Sequence, residues 1–415
     1  MVEKVTVKEP LLFLCHRIPF PPNKGDKIRS FNILKLLNQY FDVYLGCFVD
    51  DEFDRRYVER LSDYCAEYFC LEQSKTLAKV KGLTSFLQNK PITLPYYFDS
   101  KMQHWADKTQ SKHNIDKVFI YSSSMAQYCE GEQYKQCLKV IDFVDVDSDK
   151  WRQYAEKKSG LSRYIFSREH QLLAKYEDKV CQRFEQSVFV SPDEAKIFSE
   201  RQPAAHRQKV HGILNGVDVD FFDPKASYPS DDIVPDLPFV SFTGAMDYWA
   251  NVDAVLWFTN NVWSKVLAKI PTAQFVIAGG NPSDEIKALQ KEKGIVVTGR
   301  VKDIRPFIAD AACVVAPMQI ARGIQNKVLE AMSLNRPVIC SPMAMEGINA
   351  AEGEHIHITN DVQSIVEHVC GYLNGNLNNT AANRQWIISN FTWSQTLSPL
   401  MKLIARNKED SNVSS

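Results

Sequence analysis

Three residues at a fixed spacing pose the chemical question of this chain. Gly323, Lys327 and Glu330 stand at i, i+4 and i+7 within Ala321-Arg322-Gly323-Ile324-Gln325-Asn326-Lys327-Val328-Leu329-Glu330-Ala331-Met332, which runs on to Arg336-Pro337-Val338-Ile339. The pattern predicts a loop that opens a helix carrying all three on one face, then a turn and a buried strand. A glycine at the loop lets backbone approach a ligand, and free amides at a helix start hold an anion. A cation near that start suits a phosphate, and a carboxylate one turn later suits sugar hydroxyls. The expected ligand is a phosphorylated sugar, with a sugar nucleotide foremost.

Other loops offer partial constellations. In His16-Arg17-Ile18-Pro19-Phe20-Pro21-Pro22-Asn23-Lys24-Gly25-Asp26-Lys27-Ile28-Arg29, prolines stiffen one side and Gly25 stands just before a helix. Either Lys24, Lys27 and Arg29 give a ligand positive charge, or they form a solvated basic face. Gly244 follows an apolar run and could admit a pyrophosphate. Gly299-Arg300-Val301 lies between a strand and a helix, placed to cover a nucleobase with backbone hydrogen bonds. Asn215-Gly216-Val217-Asp218 predicts a tight turn. Asp145-Val146-Asp147-Ser148-Asp149 reads as a strand-to-helix loop with capping aspartates, with metal ligation or an acceptor-side role for Asp145 or Asp147 as alternatives. His355-Ile356-His357 lacks the further ligands a metal site needs.

These loops need a scaffold. Short apolar runs alternate with longer amphipathic stretches along all 415 residues, the pattern of parallel sheets with crossover helices. Strands are expected near 11–15, 43–47, 118–121, 140–143, 187–190, 239–243, 274–278, 295–297, 313–316 and 337–340, with helices over 27–38, 162–186, 252–269, 283–291 and 327–334. The length suggests two domains. Each reads as an α/β, doubly wound unit, with a polar linker over 223–238, and their loops are expected to face one cleft. A net charge of −1 provides no global field for nucleic acid. Ten scattered cysteines without a C-x-x-C pair suggest reduced thiols and a cytoplasmic protein. No run reaches the ~20 apolar residues of a membrane span, and peripheral membrane attachment stays compatible with the sequence.

Taken in order, these segments resemble glycosyltransferase family 4, whose members have the two-domain GT-B fold. The resemblance spans nearly the whole chain: Gly25, Asn215-Gly216-Val217-Asp218, Gly244, Gly299-Arg300-Val301 and Glu330-Ala331-Met332. Asp145-Val146-Asp147-Ser148-Asp149-Lys150-Trp151 and the segment 323–330 are similar to sugar transferases of PEP-CTERM/exosortase exopolysaccharide clusters. The resemblance implies an acceptor-side domain over 1–215, a donor domain over 216–385, a helix crossing back over 386–406 and a disordered tail over 407–415.

It also implies donor contacts at Gly25, Gly244, Arg300, Val301, Gly323, Ile324 and Glu330, with Glu330 on the donor ribose. The family pairs two glutamates eight positions apart, and the first falls on Arg322, a reversal of charge. The family's cations after the first glycine of the second domain are absent, since Gly244 is followed by Ala245, Met246 and Asp247. Arg322 and Lys327 are expected to take their place at the diphosphate, with Asp145 on the acceptor side. The family's histidine in the first domain has no evident counterpart. Val118-Phe119-Ile120-Tyr121-Ser122-Ser123-Ser124 offers hydroxyls in that region.

The implied reaction is transfer of a sugar, with retention, from a nucleotide-diphosphate donor to a glycan or lipid-linked glycan. No cofactor, metal or nucleic acid is expected. Three rivals stand beside it: a sugar-nucleotide epimerase of the same fold, a non-catalytic sugar-nucleotide-binding protein, and a metal-dependent transferase using Asp145 and Asp147.

Overall fold

In the structure, a computed structural model, residues 8–22, 25–156, 158–228, 233–236, 238–320, 324–353, 356–377 and 382–405 are described. The chain divides into two compact units. One runs to Leu214 and includes the segment from Leu397; the other is Asn215–Thr396.

Unit 1 is built on seven strands: β1 (Glu9–Cys15), β2 (Phe41–Val49), β3 (Glu67–Glu72), β4 (Lys117–Tyr121), β5 (Leu138–Val144), β6 (Gln186–Phe189) and β7 (Val210–Gly212). All pairs are parallel, in the order β3-β2-β1-β4-β5-β6-β7. Leu11–Cys15 and all of β4 are buried on both faces. That explains why they read as unbroken apolar runs rather than alternating ones.

Unit 2 repeats the plan with β8 (Phe239–Thr243), β9 (Gln274–Ala278), β10 (Ile295–Gly299), β11 (Cys313–Ala316), β12 (Val338–Cys340) and β13 (His357–Ile358). Its order is β10-β9-β8-β11-β12-β13, again parallel throughout. Strand order reverses beside β1 in unit 1 and beside β8 in unit 2. Loops at the carboxyl ends of these central strands are where such sheets bind ligands.

Expected strands and helices fall close to their observed places, and β3, β7 and β13 are additional. β3 is only part-buried and β7 and β13 are two or three residues long, too short or too polar to leave a periodic signal.

Four expectations are corrected. Lys27 and Arg29 neither face a ligand nor solvent: the helix Gly25–Tyr40 buries both, pairing Lys27 with Asp54 at 2.9 Å and Arg29 with Asp142 at 2.8 Å. Asn215-Gly216 forms no turn. Val217 bridges Thr392, and a Cβ on Gly216 would come within 2.7 Å of the Trp393 backbone nitrogen, so the glycine serves close approach. The segment 223–238 is no linker, because unit 2 begins at Asn215 and the described part packs onto it. Arg384 and Ser333 donate to the Phe222 carbonyl, and the Arg305 guanidinium lies 4.6 Å from the Tyr228 ring. Finally, the single helix expected over 386–406 is three, Ala382–Asn390, Trp393–Thr396 and Ser398–Ala405, and only the last belongs to unit 1. The expected tail, 407–415, lies outside the described residues.

Candidate functional site

The strongest convergence of sequence-marked residues is at the switch point of unit 2. Gly244 follows β8 with φ 153°, and Gly279 follows β9 with φ 157°. A Cβ on Gly279 would lie 1.7 Å from the Gly244 carbonyl oxygen, so two backbone loops touch where no side chain fits. Hydrogen bonds join the loops: Gly244 N–H donates to Ala278 O, and Met246 N–H to Gly280 O. Gly279 has no apolar period and no spacing to a partner, so sequence reasoning passed over it; its only signal was a Gly-Gly pair after a strand.

Beneath this weld lies Lys327, the first-turn residue of the helix Asn326–Ser333. Its ammonium is buried. It donates to Asn251 Oδ1 at 2.6 Å, stands 4.1 Å from the Phe242 ring centroid and 3.8 Å from Met318 Sδ. Asn251 in turn donates from Nδ2 to the Ala245 carbonyl, so its amide links the lysine to the loop after β8. Burial, only partly offset by Glu330, pushes the Lys327 ammonium down to about 7. Lys327 therefore supports the loop from below, its ammonium held inside the protein. Asn251 was not marked by the sequence, standing with Asp253 as one of two polar residues in a largely apolar helix.

Glu330 follows at i+3 on the same helix. The residue is part-buried, and its carboxyl makes no hydrogen bond or ion pair among the described residues. Burial raises its carboxyl to about 7, against the lowering pull of Lys327. An unpartnered, half-desolvated carboxyl beside a buried ammonium is an acceptor waiting for hydroxyl donors.

The other expected donor contacts are placed as follows. Arg300 is exposed, its Nε 3.7 Å from where a Cβ on Gly280 would stand, so it flanks the β8–β9 weld. Val301 packs its side chain against the Phe239, Val276 and Phe307 cluster, leaving only backbone for a ligand. Ile324 is buried. Arg322 and Gly323 lie outside the described residues. The helix begins only at Asn326, so the shared helical face comprises Lys327 and Glu330.

A cavity of about 390 Å³ also opens in unit 2, but Asp247, Asp253 and Glu285 line it with Trp249. Three carboxylates suit a diphosphate poorly.

Unit 1 places its marked residues differently. Gly25 begins its helix in the open, with nothing within 4 Å of a Cβ. At the end of β1, Arg17 bridges Asp26 at 2.9 Å and Asp50 at 3.1 Å. His16 stacks on Tyr121 and brings Nε2 to 3.6 Å from Asp26. Burial alone would raise the Asp26 carboxyl, but His16 and Arg17 hold it well below the usual range. His16 is a switch-point histidine that the sequence passed over, since its partner Asp26 is ten positions away.

Asp145 follows Val144, whose φ of 70° is strained for a β-branched residue. Its carboxylate and that of Asp147 converge on Lys150 Nζ at 2.7 and 3.3 Å. The lysine thus fills the place where a metal alternative would put an ion. His355 lies outside the described residues, and His357 stacks on His368 at 4.0 Å and bonds Tyr372 at 2.8 Å.

Two doubly wound, Rossmann-like units in one chain are the architecture of GT-B glycosyltransferases. Residues 238–374 match the family described as glycosyl transferases group 1. Over 141 residues it is 26% identical to an uncharacterized 44.6 kDa protein in the cps region of Klebsiella pneumoniae, covering 32% of this chain and 36% of that protein.

The fold is similar to that of Anabaena HepE in complex with UDP-glucose, with a TM-score of 0.63 and 15% identity over 95% of this chain and 98% of that one. It is similar to sucrose-phosphate synthase from Thermosynechococcus elongatus, with a TM-score of 0.65 and 14% identity over 98% and 100% of the two chains. A glycosyltransferase from Rickettsia africae gives a TM-score of 0.61 and 14% identity over 96% and 98%. No described helix is long and apolar enough to cross a membrane.

Proposed function

We propose that the chain is a family 4 enzyme that transfers a sugar, with retention, from a nucleotide-diphosphate donor to a hydroxyl of a glycan or lipid-linked glycan. The product would be a cell-surface polysaccharide or exopolysaccharide, made at the cytoplasmic side of a membrane. The observation that carries this reading is the Glu330 carboxyl, unpartnered at the switch point of the unit that matches the transferase family. In this reading Glu330 accepts from the ribose hydroxyls of the donor. The loop at Gly244 and Gly279 brings backbone amides to the diphosphate, and Lys327 supplies positive charge from beneath. Arg300 and the Val301 backbone border the base. Gly25 stays an expected donor contact, and Asp145 belongs to the acceptor side. HepE with UDP-glucose and a relative in a cps region support the donor class and the setting.

Departure of the nucleotide diphosphate leaves developing negative charge, which Lys327 and the loop amides stabilise without a metal ion. The test is thermal-shift screening of the full chain against nucleotide-diphosphate sugars, since a ligand at 100 times its Kd stabilises by about 2.7 kcal/mol. A melting shift with one donor, lost in Glu330→Ala, supports the reading. Its absence across the panel sinks it. Incubating that donor alone distinguishes transfer from epimerisation, because an epimerase converts its donor without an acceptor.

A further inference from the structure

Two segments of unit 1 stand out against a chain whose net charge is −1. Residues 75–90 contain Lys75, Lys79, Lys81 and Lys90 and no acidic residue; residues 157–168 contain Lys157, Lys158, Arg163 and Arg168, again with none. The fold brings parts of the two segments together. Arg168 lies over the Phe86 ring at 4.5 Å and donates to the carbonyls of Ser85 and Lys90. Next to it, Glu169 accepts from the Thr93 amide and hydroxyl, pinning the chain that follows Lys90 to the same helix.

That helix, Gly160–Arg183, forms a hairpin with the helix Asp147–Glu156. Leu161, Tyr164 and Arg168 follow one another at i, i+3 and i+7, on one face. Leu161 and Tyr164 are 74% and 63% exposed, the two most exposed large apolar side chains among the described residues. Phe86 continues the face at 40% and Tyr154 adds a further 43% on the hairpin's other helix. Under the tip, Trp151 and Phe166 pack at 5.4 Å, giving these exposed residues a firm base. Isolated exposed apolar residues need no explanation. Here Leu161 and Tyr164 share one helical face with Arg168, which covers Phe86, and the same segments carry cations: Lys90, Lys158 and Arg163 are exposed and make no ion pair among the described residues.

We propose that this face of unit 1 docks on a bilayer of anionic phospholipid. The cations would meet headgroup phosphates, while Leu161, Tyr164 and Phe86 enter the boundary between headgroups and acyl chains. Charge complementarity selects an anionic surface, and the protruding apolar tip selects a bilayer over a soluble polyanion. The proposal deepens the reading of a lipid-linked acceptor but rests on unit 1 alone.

The test is co-sedimentation of the full chain with vesicles of phosphatidylcholine, with and without phosphatidylglycerol. Neither donor nor acceptor is needed, so a failure here leaves sugar transfer untouched. Binding to the mixed vesicles is expected, weak on the neutral ones and reversed by salt. Leu161→Ser with Tyr164→Ser should lower partition about tenfold, and Lys90→Gln, Lys158→Gln and Arg163→Gln together should lower it about fivefold per charge removed. All five positions are exposed, and unchanged circular-dichroism melting curves establish that the variants fold. No sedimentation of the wild type with anionic vesicles at low salt overturns the proposal. So does equal binding to neutral vesicles. Full binding by the Leu161/Tyr164 variant, with loss only in the charge variant, makes the face a polyanion site and likewise overturns it.

Discussion

The two switch points share one topology and treat charge in opposite ways. In unit 1 the titratable groups around the end of β1 pair with one another: Arg17 with Asp26 and Asp50, Lys27 with Asp54, Arg29 with Asp142. Asp142 also accepts from the Val144 amide and so holds the strained turn before Asp145. In unit 2 the loops meet through glycines, a lysine sits below them on a neutral amide, and a carboxyl is left without a partner among the described residues. Paired buried charges fix a fold, because removing one strands the other. Unpaired ones are costly alone and become favourable when a ligand arrives. Equal strand order therefore says where a site can form, and the partners of each charge say whether the place is built to hold the chain together or to bind.

The largest expected effect lies in unit 1. Asp142→Ala should cost about 3–5 kcal/mol in urea denaturation, since it strands the Arg29 guanidinium in the interior. A cost under 1 kcal/mol would break the contrast on its structural side, because an exposed pair is worth about that little. Next comes the glycine weld. Gly279→Ala should destabilise by about 1–3 kcal/mol and abolish the donor-induced melting shift, because a Cβ must displace the Gly244 carbonyl.

Glu330→Ala should do the reverse in stability, leaving the urea midpoint unchanged or higher, while raising the donor Kd about tenfold or more through loss of hydrogen bonds to a charged group. Marked destabilisation with unaltered donor affinity would move Glu330 to the structural side.

A smaller effect concerns protons. Lys327 titrates near 7 in the free protein, its value lowered by burial, and a bound diphosphate favours the charged form. Donor binding at pH 8 should therefore take up ~1 proton, read by calorimetry as heats that vary with the ionisation enthalpy of the buffer. Affinity should fall as pH rises above 7. Lys327→Met should remove the uptake with little loss of stability.

The smallest effect is at β13. Burial, then the neighbouring His368, push His357 down to about 4 from its ordinary 6.5. The unfolded chain binds that proton more readily, so this stability is present above about 6.5 and drains as pH falls toward 4. His357→Phe should flatten the melting temperature over that window.

Much of the frame was legible along the chain. Runs such as Phe239–Thr243 and Cys313–Ala316 are unbroken because both faces of a parallel strand are covered, and their boundaries match the observed strands. Lys327 and Glu330 were legible as a pair because a helix converts spacing into a face, and Gly244 was legible as a glycine just after an apolar run. Asn215-Gly216 misled, because an Asn-Gly pair signals a turn and nothing local shows that Trp393 will press against it. Lys27 and Arg29 misled for a related reason: a basic residue looks solvated until its acid, 27 or 113 positions away, is brought against it.

The sequence by itself determined two parallel-sheet units, the order of most of their strands along the chain, and the helix that carries a carboxylate and a cation on one face. Those features follow from periodicity and local backbone chemistry, which a single chain carries in plain order. Only the tertiary structure decided which charges are paired. It turned Lys27 and Arg29 into buried struts, set Lys327 on Asn251 beneath its loop and left the Glu330 carboxyl without a partner among the described residues. Charge pairing is a property of neighbours in space, and burial multiplies its consequences by lowering the dielectric around them.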